Sequence, residues 1–420
     1  MKWNDYGFLV PEQVSESLNN KAIQVCPFNP KPEFDVQDED KMSNIFLKEA
    51  KYRDFRIGNY ENIYVGYSKE YRKTSSSGGL ATYIFEKLLI DNVVDHLYIV
   101  KEINGTYAYQ FFSNGDQIKQ ISKTRYIPVT LEELFNNIDS IDGKIAVSGV
   151  ACFLKAIRLK QHYNPHLIEK MPFLIGIICG GLKSSFFTDY LAQKSGIEEK
   201  YTKQEYRIKD EYSTASDYSF GALDGNNDFK KIKMRTVGDM WGTGLFKANA
   251  CDFCDDVTTE LADISLGDAW FKPYSQDGLG NSVIVTRTPF SDKIIQDGIK
   301  NKLLSVNPLD LKTFKSSQQG SFNHRQDGLK YRIQKMKKQK KLTPTKRSKF
   351  LKKTPFYFKS VQKQRMVVRS NSLKFWFETK DATKFESFLK PSKDKLQKLT
   401  LFYHRMRKLK RILLKENEKI

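Results

Sequence analysis

The sequence predicts an α/β fold: a mainly parallel central sheet flanked by helices, with an α+β cysteine-containing extension and a basic helical C-terminal tail. Three segments predict it, each reading as a strand followed by a helix. "NIYVGYSKEYRKTSSSGGLATYIFEKLLIDN" opens with a β-rich run, passes a basic loop and a Ser/Gly cluster, and continues as a helix with Leu80, Ile84, Leu88 and Leu89 on one face. "GKIAVSGVACFLKAIRLKQHY" has an apolar run from Ile145 to Val150, then Cys152 and a helix. "PFLIGIICGGLKSSFFTDYLAQKSG" repeats the plan: Phe173 to Ile178, then Cys179, Gly180 and Gly181, then a helix from about Ser184. Continuous apolar strands alternating with helices belong to parallel sheets covered on both faces.

The 420 residues give room for two or three modest domains. No apolar run approaches the ~18 residues of a spanning helix. The start, "MKWNDYGFLVPEQ", lacks a charged segment followed by an apolar core and predicts no signal peptide. Five cysteines in such a chain do not form a disulfide framework, so a reducing, cytoplasmic setting is expected. The net charge of +21 is unevenly placed: residues 321–420 hold 31 Lys/Arg against 7 Asp/Glu, and residues 1–320 hold 39 against 42. The chain is a nearly neutral body with a basic tail.

In a parallel sheet, ligands gather at the carboxyl ends of the strands. Cys152 and Cys179 would both sit on that rim, which makes residues 27 apart in sequence into neighbours. Cys251 and Cys254, in "CDFC", form a C-x-x-C that alone fits half a zinc site, a redox dithiol or part of an iron–sulfur cluster. A single free cysteine is most often a small buried apolar residue. Together the four offer the all-cysteine set used by a [4Fe–4S] cluster or a structural zinc. Zinc ribbons supply two C-x-x-C knuckles, whereas here one pair is split between two strand ends, which favours a cluster. The loop "KTSSSGGLATYIF" combines a basic residue, hydroxyls, glycines and a helix start, as a phosphate cradle does. It reads equally as a serine-capped helix, and it matches neither a P-loop nor a dinucleotide fingerprint.

In this order the blocks resemble the β subunit of the coenzyme F420 hydrogenase/dehydrogenase family, which includes ferredoxin-dependent reductases of chlorophyll intermediates. The resemblance runs from about residue 6 to residue 290. It rests on "KTSSSGGLATYIFEKLL", "KTRYIPVTLEEL", "VSGVACFLKAIR", "IICGGLKSS", "YRIKDEY" (through Arg207 and Lys209), "CDFCDDVTTELADISLGDAW" and "GLGNSVIVTRT". It implies a flavoprotein with FAD and a [4Fe–4S] cluster, passing electrons between a partner and a substrate. By position, Cys152, Cys179, Cys251 and Cys254 would be cluster ligands. Ser75, Ser76, Ser77, Gly78 and Gly79 would lie against the flavin or its phosphates, with Lys209 from the Arg-x-Lys block. Asp263, Gly267 and Asp268 would support the site beside the cluster, although "ADISLGD" also reads as a turn that closes a strand.

Two departures accompany the resemblance. The family's His after the second cysteine is replaced by Gly180, and the Thr-Pro before the first by Val150 and Ala151. The N-terminus is similar to a ferredoxin module whose second motif has eroded. Asp5, Gly7, Phe8, Pro11 and the final Cys26-Pro27 remain, while the other ligand positions hold Glu16, Asn19 and Ala22 and no first motif precedes them. Cys26 would then be a relic, and electrons would come from an external ferredoxin or reduced deazaflavin. Residues 1–45 form this remnant, 46–200 the flavin-binding region, 201–320 the region with the C-x-x-C, and 321–420 a basic linker and tail. The five histidines (His96, His162, His166, His324 and His404) lie outside the matched blocks and read as surface or packing residues.

In the tail, "KKQKKLTPTKRSKFLKK" reads as a flexible linker, and Leu399, Phe402, Met406, Leu409 and Leu413 recur at helical spacing. That basic amphipathic helix is expected to fold back on the body. An anionic membrane surface at the inner face is the next reading, and no specific nucleic acid is expected because no such signature accompanies the charge. A homo-oligomer is compatible with the sequence. Rival readings are a redox-inactive scaffold descended from the family, and a structural-zinc protein using the same four cysteines.

Overall fold

The structure, a computed structural model, describes residues 1–12, 21–103, 106–115, 118 and 123–417. The strands of its two larger sheets are, in chain order, β1 (Asn62–Ser68), β2 (His96–Ile103), β3 (Thr106–Phe112), β4 (Ile145–Val150), β5 (Phe173–Ile177), β6 (Thr202–Ile208), β7 (Ser219–Leu223), β8 (Phe229–Lys233), β9 (Ile264–Asp268), β10 (Ser282–Thr286) and β11 (Leu304–Pro308). Eight of them form the central sheet in the order β11-β1-β10-β9-β5-β4-β2-β3, and β6-β7-β8 form a separate antiparallel sheet. Adjacent β9, β5, β4 and β2 are parallel. Antiparallel pairings link β1 to β10 and β11, β10 to β9, and β3 to β2. Five of the eight strands therefore share one direction, and the predicted α/β class holds.

The apolar runs of β4 and β5 are explained by burial on both faces. Ala146, Phe173 and Ile175 pack beneath helix α2 (Leu80–Ile90), where Leu80, Ile84 and Leu88 are fully covered and Leu89 partly so. The alternate residues Ile145, Val147 and Leu174 pack against Leu154 and Ile157 of α3 (Ala151–Tyr163). Each such side chain contributes roughly 1.5–3 kcal/mol when buried. The register pairs Val150 with Ile177, so β4 and β5 end level, side by side.

The C-terminal third is not a tail. Beyond α5 (Pro289–Lys300), helices α6 (Phe356–Thr379) and α7 (Ala382–Asn417) pack on each other and on α4 (Phe186–Lys194), sharing a core that includes Trp376, Phe385, Leu389, Leu396, Tyr403, Tyr190 and Leu191. The amphipathic stripe is corrected accordingly. The seam falls on Phe385, Leu389, Leu396 and Tyr403, with Leu399 partly buried, while Phe402 and Leu409 are exposed. The side chain of Leu413 lies outside the described residues. The expected flexible linker is also corrected. Within it Lys346 and Arg347 are buried and make ion pairs with the body, because a basic run that meets buried carboxylates is drawn into them.

At the N-terminus Lys2–Trp3 pairs with Leu9–Val10, and the turn docks through Ser185 N–H on the Gly7 carbonyl at 2.9 Å. Glu16 and Asn19 lie outside the described residues; Ala22 is exposed and Cys26 half-buried. Helix α1 (Glu39–Phe46) follows, capped by Asp38. No described helix is long and apolar enough to cross a membrane.

Candidate functional site

Because β4 and β5 are adjacent and parallel, their carboxyl ends bring two cysteines to one rim. Cys152 opens α3 directly after β4, and Cys179 follows β5 by two residues. Cys251 sits in the 3-10 turn Asn249–Phe253, and Cys254 follows it. All four half-buried thiols line one cavity of about 930 Å³. Backbone N–H groups of Gly181 and Leu182 donate to Cys179 Sγ and Cys251 Sγ, each at 3.2 Å. Burial first, and then the neighbouring thiols, push the Cys152 thiol well above its usual range. Burial pushes Cys254 up to about 12 and raises Cys251 as well. Among the described residues, no three His, Cys, Asp or Glu side chains gather tightly enough to hold a single metal ion.

The Ser/Gly loop forms another part of the same wall, through Ser75, Ser76, Ser77 and Gly79. The serine-capped reading is corrected: the residue before α2 is Gly79, at φ +78°, and no side chain caps the helix. Ser76 Oγ accepts from Thr124 N–H at 2.9 Å, tying the loop to "KTRYIPV". Ser77 Oγ donates to the Asn281 carbonyl at 3.2 Å. Gly78 faces away from the cavity; a Cβ there would lie 2.6 Å from the Gly66 carbonyl and 2.8 Å from Ser282 N, so the loop can lie this close to β1 and β10 only with glycine.

Residues 63–136 match the model of the N-terminal region of the coenzyme F420 hydrogenase/dehydrogenase beta subunit, and residues 142–312 match that of its C terminus. The chain belongs to the coenzyme F420 hydrogenase/dehydrogenase beta subunit family. Among solved structures it is similar to a chain of the xenon-derivatised F420-reducing [NiFe] hydrogenase complex from Methanosarcina barkeri. The identity is 18% and the TM-score 0.53, covering 70% of this chain and 99% of that one, a likeness of fold. No curated protein matches. Membership in this family gives the chain an oxidoreductase, electron-transfer affiliation.

The other residues singled out from the family motifs divide. Gly267 and Asp268, at the carboxyl end of β9, line the cavity. Asp263 does not. It precedes β9 at the strand's other end, where its carboxylate pairs with Arg158 at 3.0 Å and accepts from Leu174 N–H at 2.7 Å. Five residues of strand, ~17 Å, separate the two ends, so Asp263 is corrected to a brace of the sheet. "ISLGD" is the strand itself, not a turn after one. Lys209 stands behind the Ser loop, its Nζ donating to the Ser77 carbonyl at 2.7 Å and to the Arg72 carbonyl. Burial, then Arg72 and Arg207, lower its pKa to about 7. Since β6 ends at Ile208, it is Arg207 that reaches the cavity, held by Asp268 at 2.7 Å.

The family's His is absent here for a visible reason. The indole of Trp241 lies against Gly180, and a Cβ at that position would come within 2.7 Å of it. Trp241 is held by Tyr126, with ring centroids 4.9 Å apart, and by the Lys183 ammonium 4.5 Å from its ring. An aromatic between glycines in "GDMWGTG" was the only sequence signal for it.

The residues present fit the implied groups. Four thiols face one cavity, backbone amides already point at two of the sulfurs, and Arg325 Nη1 lies 3.5 Å from Cys254 Sγ. Arg125 and Arg207 line the same cavity, and the Nε of each is buried with no hydrogen-bond partner among the described residues. A polyanionic dinucleotide offers acceptors for such donors. Arg125 lies in "KTRYIPV", and nothing in its block singled it out.

Proposed function

We propose that the chain is a flavin- and iron–sulfur-dependent oxidoreductase that passes electrons between an external donor, ferredoxin or reduced deazaflavin, and a substrate. One observation carries this reading: the Ser loop and all four cysteines line a single cavity large enough for a dinucleotide. FAD would exchange electrons as a pair or singly, and a [4Fe–4S] cluster one at a time. Cys152, Cys179, Cys251 and Cys254 would hold the cluster, and Ser75, Ser76, Ser77 and Gly79 would cradle FAD with Arg125. Gly78 and Lys209 fix the cradle from behind, Asp268 orients Arg207, and Gly267 lines the cavity beside it. The split of one ligand pair between two strand ends, with the other in a C-x-x-C turn, favours a cluster over one zinc ion. An external donor is proposed because only Cys26 remains of the ferredoxin-like ligand positions. The exposed apolar edge of α7, flanked by Arg405 and Lys408, also supports contact with an anionic membrane surface.

Anaerobic purification followed by an absorption spectrum, metal analysis and labile-sulfide analysis tests the reading. Flavin bands with about four irons per chain are expected, as one [4Fe–4S] cluster requires. Colourless protein with zinc would establish the structural-zinc alternative, and protein with neither metal nor flavin the redox-inactive scaffold.

A further inference from the structure

The third cysteine-facing wall of the cavity comes from the chain beyond the family match, which ends at residue 312. A five-residue π-helix, Asn323–Asp327, carries His324 and Arg325 there. Such bulged turns recur at functional sites, because the extra residue re-aims a side chain that a regular helix would point elsewhere. His324 is turned into the protein, toward Lys247 and Gln362 at 3.0 Å each. Arg325 is turned toward the cysteines.

Its guanidinium, 4% exposed, spans both cysteine-bearing segments. Nη1 donates to the Asp256 carbonyl at 2.7 Å and reaches Cys254 Sγ at 3.5 Å, while Nη2 donates to the Cys179 carbonyl. Among the described residues it has no carboxylate partner. Of the cations around it, Lys346 and Arg347 meet Asp255 and Arg369 meets Asp252, while Arg332, also without an ion pair among the described residues, gives its guanidinium to two carbonyls and Gln362 and to no sulfur. A buried cation without a counter-ion is strongly unfavourable, so the anion that Arg325 is placed to meet is the sulfur-ligated centre itself.

We propose that Arg325 compensates the negative charge of the cluster and sets its reduction potential. The inference rests on the oxidoreductase reading above. A [4Fe–4S] core with four thiolates is a net anion, and taking up an electron makes it more so. A fixed positive charge at the ligand sulfurs therefore favours the reduced form and raises the potential, as do the N–H groups of Gly181 and Leu182. Within the matched region Lys247 also bears on Cys251, but it is paired with Asp252 at 2.8 Å; Arg325 lies beyond that region, so the C-terminal third contributes to the redox site.

The test is an EPR-monitored redox titration of anaerobically prepared wild type, Arg325→Lys and Arg325→Gln, with iron determined on each. Arg325→Gln should lower the equilibrium constant for reduction at least tenfold, about 59 mV for one electron. Arg325→Lys should recover most of the difference. A potential unchanged within twofold in Arg325→Gln overturns the proposal. If Arg325→Gln does not fold, protein labelled with guanidino-¹⁵N arginine decides it: reduced wild type should show a ¹⁵N hyperfine coupling that Arg325→Lys loses, and its absence overturns the proposal. Wild type without iron would instead refute the oxidoreductase reading, before Arg325 is tested.

Discussion

The two cysteine pairs that line the cavity are held by opposite kinds of force. Cys152 and Cys179 hang from β4 and β5, whose position is fixed by apolar side chains packed on both faces of the sheet. Cys251 and Cys254 sit in a short turn outside any sheet, and buried charges fix that turn. Asp252 meets Lys247 at 2.8 Å and Arg369 at 2.9 Å. Asp255 meets Arg347 at 2.9 Å and Lys346 at 3.1 Å, and Arg347 continues to both oxygens of Glu260 at 2.6 and 2.9 Å. One pair thus depends on burial that hardly responds to pH, and the other on ion pairs that do. Three cations of the basic third, Lys346, Arg347 and Arg369, neutralise acids of "CDFCDDVTTE".

Breaking the ionic side should have the largest effect. Arg347→Met leaves Glu260 buried without its cation and Asp255 with Lys346 alone, and removing one partner of a buried pair costs about 3–5 kcal/mol. Denaturant unfolding of the two proteins measures it. A loss below about 1 kcal/mol would mean that packing, not charge, holds the C-x-x-C turn.

The same contrast predicts a pH dependence. Asp252 is driven up by its burial, but Lys247, Arg369 and Arg332 outweigh this and hold it down to about 2. A carboxylate with a depressed folded pKa stabilises the protein above its unfolded value, near 3.9, and loses that contribution as pH falls through about 2. Asp252→Asn should therefore cost about 2–3 kcal/mol at neutral pH and progressively less between pH 4 and 2. Unfolding of both proteins across that range should show the curves converging on the acid side. Parallel curves would remove Asp252 from the ionic scaffold.

On the sheet side the corresponding probe is steric. Gly180→His restores the family residue, but its Cβ meets the Trp241 ring, and overpacking of this kind costs about 1–3 kcal/mol. Adding Trp241→Ala should relieve most of it, so the double variant should be more stable than the sum of the two changes allows. Additive losses in thermal or denaturant unfolding would show that Trp241 does not occupy the place of the missing His.

This contrast also explains what could be read in advance. The strand ends of Cys152 and Cys179 were legible because two-sided burial leaves a continuous apolar run, and β4 and β5 carry it with little interruption. Asp263 was misplaced because motif spacing does not say which end of a five-residue strand a residue occupies. Arg325, Arg347 and Lys346 were hidden for a different reason. Charged residues carry no periodicity, and a basic run that will be buried against carboxylates looks the same in sequence as one that will be solvated. Only the fold shows that Asp255 and Glu260 are waiting for it.

The smallest expected effect belongs to the fifth cysteine. Cys26 keeps the Cys-Pro ending of a ferredoxin motif, but the residue of that segment on the cavity wall is Phe28. Its own thiol is half-buried, and its backbone N–H closes a local turn onto the Ile23 carbonyl at 3.2 Å. Exchanging sulfur for oxygen at such a place changes stability by no more than about 0.5 kcal/mol, since no core, charge or turn depends on it. Cys26→Ser should therefore keep the wild-type iron content and unfolding midpoint, whereas Cys254→Ser should lose the iron and leave the fold intact. Loss of iron from Cys26→Ser would mean that the N-terminal segment reaches the cluster after all, and that the four-cysteine assignment has one member wrong.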